Sequence, residues 1–199
     1  MNNSHRVVAA MVFSVLLAAC SDSSTPTDPA TPNSQESYFP LTKGSTWMYN
    51  GLVTYTATME GDTIVGGKTY QISRGSTGGT SLVRKESGNY YQTLITPPNF
   101  TEIPMLKENA PEGTSWEYDG VANSTLNHYV YVLEKRDLKY TVNGKEYSDV
   151  IKVNLKDTLK ISGISINSQS VDYYYAKGVG LIEFITPKGK ISLVSYSIK

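Results

Sequence analysis

The chain has 199 residues, with 18 basic and 18 acidic side chains, two histidines and one cysteine. Because the charges balance, there is no excess of basic residues of the kind that binds nucleic acid. The single cysteine excludes intramolecular disulfide bonds and, with so few histidines, a zinc site built from cysteine and histidine.

The first twenty residues have the pattern of a signal peptide. Val7–Ala19 is a continuous apolar run, shorter than the about 20 residues that a membrane-spanning helix needs. The run ends in Leu17-Ala18-Ala19-Cys20, which resembles the lipobox of bacterial type II signal peptides at every position. The resemblance implies cleavage before Cys20, a diacylglyceryl thioether on its sulfur and an acyl chain on its new amine. A retained membrane helix and an ordinary secretory signal are the alternatives for residues 1–19.

Lipid on Cys20 implies a place in the cell envelope, because several acyl chains on one residue give stable membrane attachment. Ser21, rather than Asp, follows Cys20. In this family that favours the outer membrane of a Gram-negative bacterium, and the leaflet stays open. Ser21–Ser37 consists almost entirely of polar residues and proline, so we expect residues 20–37 to form a lipidated, disordered tether.

Residues 38–199 are expected to form a single all-β domain. The chain is rich in tyrosine, and stretches such as Ile151–Asp157 alternate apolar and polar residues as half-buried strands do. Turn signals recur every 8–12 residues, and Asn143-Gly144 fits a type I′ hairpin turn. We therefore predict ten to twelve antiparallel strands with few or no helices. Thr96–Glu112, with four prolines, is predicted to be a long loop with a short helical turn near Met105–Asn109.

An internal repeat divides this domain into two similar β units, at about 44–95 and 113–199. The segment from Gly44 through Trp47 and Tyr49 matches the segment from Gly113 through Trp116 and Tyr118, and both tryptophans of the chain take part. The hairpin that follows is longer in the second copy. Because an open sheet edge promotes aggregation, we expect the two units to pair into one strongly curved antiparallel meander or half-barrel.

Two further motifs resemble those of an uncharacterised family of bacterial lipoproteins. The domain opens with Tyr38-Phe39-Pro40-Leu41 followed by Trp47 and Tyr49, which is similar to that family's Y-F-P-L-x-x-G-x-x-W-x-Y opening. Tyr175–Ile182 contains Gly178-Val179-Gly180 and is similar to its closing motif, with a β-bulge or a close backbone approach expected at the glycines. The resemblance implies no particular reaction. The curved sheet is also similar to the half-barrels of lipid and lipoprotein carriers, by analogy of fold alone.

The candidate ligand-binding residues are aromatic. They are Trp47, Tyr49, Trp116, Tyr118, Tyr173, Tyr174 and Tyr175. Trp47, Tyr49, Trp116 and Tyr118 either anchor the core or line a concave site for sugar or lipid. Successive residues of a strand point to opposite faces, so the three consecutive tyrosines either form an exposed platform or lie in a strand covered on both faces.

Catalysis is not expected. His128 is the only histidine after Cys20, and the chain lacks the G-x-S-x-G motif of serine hydrolases and the glycine-rich motifs that bind nucleotides. We expect no metal, no cofactor and no catalytic residue, although a carboxylate pair could be drawn from Glu117, Asp119, Asp172 and Glu183. The leading hypothesis is a non-catalytic, membrane-anchored binding protein for a glycan, a lipid or an envelope protein. A structural component that binds only protein and a carboxylate-dependent envelope hydrolase are the alternatives.

Overall fold

A computed structural model of the chain describes residues 36–94, 102–122, 125–161 and 164–199. The predicted signal peptide, Cys20 and most of the predicted tether lie outside the described residues. Pro32–Lys199 form one compact unit.

The described residues form a single twelve-stranded sheet in which every pair of neighbouring strands is antiparallel. The strands are β1 Thr46–Gly51, β2 Tyr55–Val65, β3 Lys68–Gly75, β4 Thr80–Glu86, β5 Asn89–Leu94, β6 Ile103–Lys107, β7 Ser115–Ala122, β8 Thr125–Val142, β9 Lys145–Ile161, β10 Ile164–Ala176, β11 Gly180–Thr186 and β12 Gly189–Ser197. The predicted all-β meander is confirmed. No helix in the described ranges is long and apolar enough to cross a membrane.

The sheet consists of two six-stranded meanders, which we call its two wings, and the first of them reaches Lys107, beyond the predicted boundary near residue 95. The sheet order runs from β6 to β1, then from β12 back to β7, so the units join where β1 pairs with β12. Trp47 and Trp116 lie at the second residue of the first strand of each unit. The β8–β9 hairpin is longer than the equivalent β2–β3 hairpin, as the sequence predicts. Its turn residues, Asn143 and Gly144, have φ angles of 50° and 80°, which a type I′ turn requires.

The prediction of a helical turn near Met105–Asn109 is wrong. Ile103–Lys107 is strand β6, with Met105 and Leu106 buried in the core. Pro104 is tolerated because β6 is an edge strand, where a missing backbone N–H breaks no bond of the ladder. Pro104 therefore marks a sheet edge within the stretch predicted to be a loop, whereas Pro97 and Pro98 lie outside the described residues.

The sheet curves until its two edge strands approach each other. Trp116 on β7 donates from Nε1 to the Pro104 carbonyl oxygen on β6 at 2.6 Å. Arg136 on β8 donates from Nη1 to the carbonyl oxygens of Glu108 at 2.6 Å and Ala110 at 2.8 Å. A core cluster contains side chains from β4–β6 and from β7–β10 together. The predicted strong curvature is thus confirmed, and the face that carries this cluster is the inner face.

The segment before β1 fills the space between the two core clusters. The Phe39 ring lies 6.4 Å from Trp47, 6.1 Å from Tyr90 and 6.4 Å from Tyr175, measured between ring centroids. Phe39 and Leu41 both pack against the two clusters. The motif that resembles the lipoprotein family's opening therefore packs between the two wings of the sheet and contacts both.

Gly178 and Val179 lie in the turn between β10 and β11, Gly180 is the first residue of β11, and the close backbone approach expected there is confirmed. Gly180 has a φ of 106°, and a Cβ added to it would lie 3.3 Å from Nε1 of Trp47. The register of β10 and β11 also shifts between Tyr174 and Tyr175. Glycine is required where the chain combines a positive φ with a neighbouring ring.

Candidate functional site

Five of the seven aromatic candidates are packed in the core: Trp47, Tyr49, Trp116, Tyr174 and Tyr175. Trp47 and Tyr49 are each 4% exposed; Trp47 donates from Nε1 to the Val179 carbonyl oxygen at 2.6 Å, and the Tyr49 hydroxyl donates to that of Leu181 at 2.9 Å. Trp116 is buried and lies parallel to Tyr131, with 5.5 Å between ring centroids. Tyr175 is buried in the same cluster. Because the polar groups of Trp47, Tyr49 and Trp116 are satisfied internally, their contacts are those of structural anchors.

The three consecutive tyrosines lie in a strand that is covered on both faces. Tyr173 and Tyr175 share the inner face and stack with 6.2 Å between ring centroids. Tyr174 points to the other face, where the β8–β9 hairpin folds over it and Tyr140 stacks on its ring at 4.0 Å. No exposed aromatic platform therefore forms here. Of the seven candidates, only Tyr118 and Tyr173 are half-buried on the inner face.

Three of the four candidate carboxylates lie on the outer face and contact other polar side chains. They are Glu117, Asp119 and Asp172. Glu117 and Asp119, both well exposed, flank His128, whose Nδ1 lies 2.7 Å from Asp119 Oδ1. Asp172 pairs with Lys152 at 3.0 Å and accepts a hydrogen bond from Asn154 at 2.6 Å. Glu117 and Asp119 are solvated, and Asp172 is paired with a cation, so none is held in the partly desolvated state that a general acid requires.

Glu183 is the fourth carboxylate and is fully enclosed. It accepts hydrogen bonds from Ser192 Oγ at 2.5 Å, Tyr140 Oη at 2.6 Å and Lys190 Nζ at 3.0 Å. Burial alone raises the pKa of a carboxyl group, but these three donors together hold the pKa of Glu183 below its ordinary value. Glu183 is therefore a satisfied, ionised group that ties the β8–β9 hairpin to β11 and β12.

Two polar residues that the sequence analysis did not single out lie on the inner face. Asp157 on β9 pairs directly with Tyr129 on β8, and Asn127 lies two residues before Tyr129 on the same face. Asp157 Oδ1 and Asn127 Oδ1 are both buried and have no hydrogen-bond partner. Burial raises the pKa of Asp157. An unsatisfied buried oxygen is uncommon in a native protein and calls for an explanation.

Tyrosines occupy the inner-face positions next to these two residues. Tyr118 on β7 pairs with Tyr129, and their rings stack with 6.2 Å between centroids. Burial raises the pKa of Tyr173 to about 12, with smaller contributions from Tyr55 and the Asp157 carboxylate. Burial likewise raises the pKa of Tyr131, to which the neighbouring Tyr173, Tyr129 and Asp157 add. The two phenols therefore lie within electrostatic range of Asp157.

Six residues form what we call the inner polar patch: Tyr118, Tyr129, Tyr131, Tyr173, Asn127 and Asp157. They lie on adjacent strands β7, β8, β9 and β10, on the same face as the core. Asn127 donates from Nδ2 to the Tyr129 hydroxyl at 3.1 Å. The patch combines an apolar aromatic wall with a few polar groups, which is the usual composition of a small-molecule site.

The signal that could have revealed Asp157 is in the alternating stretch itself. Ile151, Val153 and Leu155 place apolar side chains on the inner face, and the next inner position is Asp157. A carboxylate that continues an apolar row either ends the buried part of a strand or faces a ligand. Sequence periodicity alone does not separate these cases, because the difference depends on what the neighbouring strands place opposite.

Within the described part of the chain, no group of three or more histidine, cysteine, aspartate or glutamate side chains could hold a metal ion. Comparisons with protein-family models, with curated proteins and with solved structures found no match to this chain.

Proposed function

We propose that this chain is a non-catalytic binding protein of the bacterial cell envelope, anchored by lipid on Cys20, whose ligand site is the inner polar patch. The observation that carries the proposal is the pair of buried, unpartnered oxygens of Asp157 and Asn127 on the inner face of the curved sheet. A buried polar group without a partner costs about 1–3 kcal/mol. A bound ligand that donates hydrogen bonds to these oxygens offsets that cost.

The state of the other carboxylates supports binding over catalysis. A glycosidase needs two carboxyl groups at a reacting bond, one of them with a raised pKa. Asp157 has a raised pKa, but its cross-strand neighbours are Tyr129 and Gln169. Glu183 and Asp172 are occupied by donors of their own. The site thus offers groups that hold a ligand, without a paired acid and base.

The anchor gives the first test of this proposal. Cys20→Ala removes the sulfur that the lipobox requires, so we expect the variant to remain uncleaved at this position and to carry no diacylglyceryl group. Mass spectrometry of the mature N-terminus measures both outcomes. Cys20→Ser is the matched control, because it keeps the size of the side chain and loses the thiol. A wild-type N-terminus without lipid would overturn the proposed anchoring.

The binding site gives the second test. Asp157→Val removes a half-buried charge whose pKa is raised by burial, so the ionised carboxylate opposes folding at neutral pH. We expect the variant to unfold at a higher temperature than the wild type and to lose its ligand. Differential scanning calorimetry measures the first effect. Native mass spectrometry of Ser21–Lys199, purified gently from a bacterial envelope, measures the second as an adduct that disappears on denaturation.

The matched control is Asp62→Val. Asp62 is an exposed strand residue on β2, so this variant has the same gain in β propensity without removing a group from the patch. We expect Asp62→Val to keep the adduct and to gain less stability than Asp157→Val. A wild-type protein that carries no adduct, or an Asp157→Val variant that keeps it, would contradict the proposed site.

A further inference from the structure

We infer that the ligand of the inner polar patch is a polyhydroxylated molecule, a glycan, held through hydrogen bonds to its hydroxyl groups. This inference rests on the proposed binding function and names the ligand class of the same site. The inference depends on which groups of these tyrosines are not already used in contacts within the protein. The patch offers oxygen atoms more than ring faces, and the oxygens include both donors and acceptors.

The ring faces are already occupied by other rings. Tyr131 lies parallel to Trp116, with 5.5 Å between centroids, and Tyr129 stacks on Tyr118 at 6.2 Å. Tyr173 contacts Tyr175 at 6.2 Å and Phe184 at 5.9 Å. A quaternary ammonium ligand binds against open aromatic faces. The stacking leaves few such faces, so the polar atoms of the patch, and not its ring faces, are the groups with which we expect a ligand to interact.

The two unpartnered oxygens decide against an acyl chain. A hydrocarbon covering Asp157 and Asn127 would remove water from a carboxylate and an amide without replacing the lost hydrogen bonds. Burial raises the pKa of Asp157, and none of the ion pairs between described side chains involves this carboxylate. An anionic ligand such as a phosphate would meet the uncompensated carboxylate. Both classes would therefore raise the free energy of the complex.

Hydroxyl groups match the patch in both directions. A hydroxyl donates to the Asp157 carboxylate and the Asn127 amide oxygen, and it accepts from the phenols of Tyr131 and Tyr173. Asp157 is half-buried, and rotation about its Cβ–Cγ bond exchanges the two carboxylate oxygens, so either oxygen can face a ligand. A sugar carries several hydroxyls on one rigid ring, which lets one molecule satisfy several groups of the patch.

Tyr118 adds a place for the apolar face of a sugar ring. It lies on the edge strand β7 and stacks on Tyr129 on one side. The two rings cover Gly120, since a Cβ added there would lie 2.6 Å from Tyr118 Cε1 and 3.3 Å from Tyr129 Cε2. The missing side chain at Gly120 therefore allows the Tyr118 ring to lie flat at the margin of the patch.

The test is NMR spectroscopy of Ser21–Lys199 with isotope-labelled tyrosine, a fragment that contains the whole compact unit Pro32–Lys199. The probes are maltohexaose, N-acetylchitohexaose and dodecanoate. We expect at least one of the two oligosaccharides to shift the ring signals of Tyr129, Tyr131 and Tyr173 saturably. We expect affinity about tenfold lower in Asp157→Val, which loses a charge-assisted hydrogen bond, and several-fold lower in Tyr173→Phe, which loses only a hydroxyl.

Two controls separate the patch from the rest of the domain. Tyr174→Phe removes a hydroxyl from the neighbouring residue on the opposite face, and Asp62→Val removes an exposed carboxylate; neither is expected to change the oligosaccharide affinity. If dodecanoate shifts these rings and neither oligosaccharide does, the glycan inference fails and the binding function stands. If no probe shifts them and the envelope-purified protein carries no adduct, both fail. An adduct identified as a non-saccharide also overturns the inference.

Discussion

Replacing Phe39 by alanine is expected to lower the free energy of unfolding by about 3 kcal/mol, which corresponds to a fall of about 6–12 °C in the melting temperature. Phe39 contacts the rings of Trp47, Tyr90 and Tyr175, which belong to different strands and to both core clusters. Its removal leaves a cavity between the two wings of the sheet. Urea denaturation followed by tyrosine and tryptophan fluorescence measures the loss.

Phe39→Leu is the matched control, because it keeps most of the apolar volume and is expected to cost less than about 1.5 kcal/mol. The polar anchors of the segment stay in both variants: Ser37 Oγ lies 2.5 Å from the Tyr90 hydroxyl, and the Gly178 amide donates to the Ser37 carbonyl oxygen at 2.8 Å. Equal stability of Phe39→Ala and Phe39→Leu would show that the segment only lies on the surface of the core.

Phe39 also marks the boundary of what the sequence predicts. The strand pattern, the Asn143-Gly144 turn and the equivalence of Trp47 and Trp116 are local or periodic features, so they are readable from the chain alone. The role of Phe39 depends on contacts with residues about 50 and 136 positions away, at Tyr90 and Tyr175. A sequence motif of this kind signals a constraint without naming the partners that impose it.

The residues of the candidate site likewise divide into those that the sequence predicts and those that it does not. Aromatic composition points to Tyr118 and Tyr173, and both lie in the inner polar patch. Asp157 and Asn127 were not predicted from the sequence, because each occupies a position that is ordinary for a strand residue. Only the pairing of β8 with β9 shows that both lie on the inner face next to Tyr129. Tryptophan is prominent in the sequence, yet the Trp47 side chain is packed in the core. The residues best placed to bind a ligand are therefore the polar residues at inner-face positions, where the neighbouring residues of the strand are apolar.

The second large effect concerns Arg84, a buried cation that is 8% exposed. Its guanidinium donates from Nη1 to Glu86 at 2.8 Å and from Nη2 to Glu102 at 3.0 Å, and Nε also bonds Glu102. The same group lies 4.1 Å from the centroid of the Tyr91 ring. These contacts connect β4 and β5 to the residue that precedes β6, so they hold one edge of the sheet together.

Arg84→Met is expected to lower the free energy of unfolding by about 2 kcal/mol at pH 7, because the partly buried Glu102 loses its main partner and keeps its contacts with Lys68 and Tyr70. Hydrogen bonding to Arg84 is the first cause that lowers the pKa of Glu102, from its ordinary 4.5 to about 2. A depressed pKa means that this stabilisation is complete above pH 4.5 and is lost as the pH falls toward 2. The difference between variant and wild type should therefore shrink across that interval, as measured by urea denaturation at several pH values.

Arg74→Met is the matched control. Arg74 pairs with Glu60 at 2.7 Å, but both side chains are well exposed, so we expect a much smaller loss than at Arg84 and little change between pH 7 and pH 3. The two arginines lie on neighbouring strands of the same wing, β3 and β4, so they differ mainly in burial. Equal losses for the two variants, or a loss at Arg84 that does not shrink in acid, would contradict the role assigned to its contact with Glu102. The expected contrast between the two arginines follows from desolvation. An ion pair that is shielded from water by a neighbouring ring is stronger than the same pair in solvent.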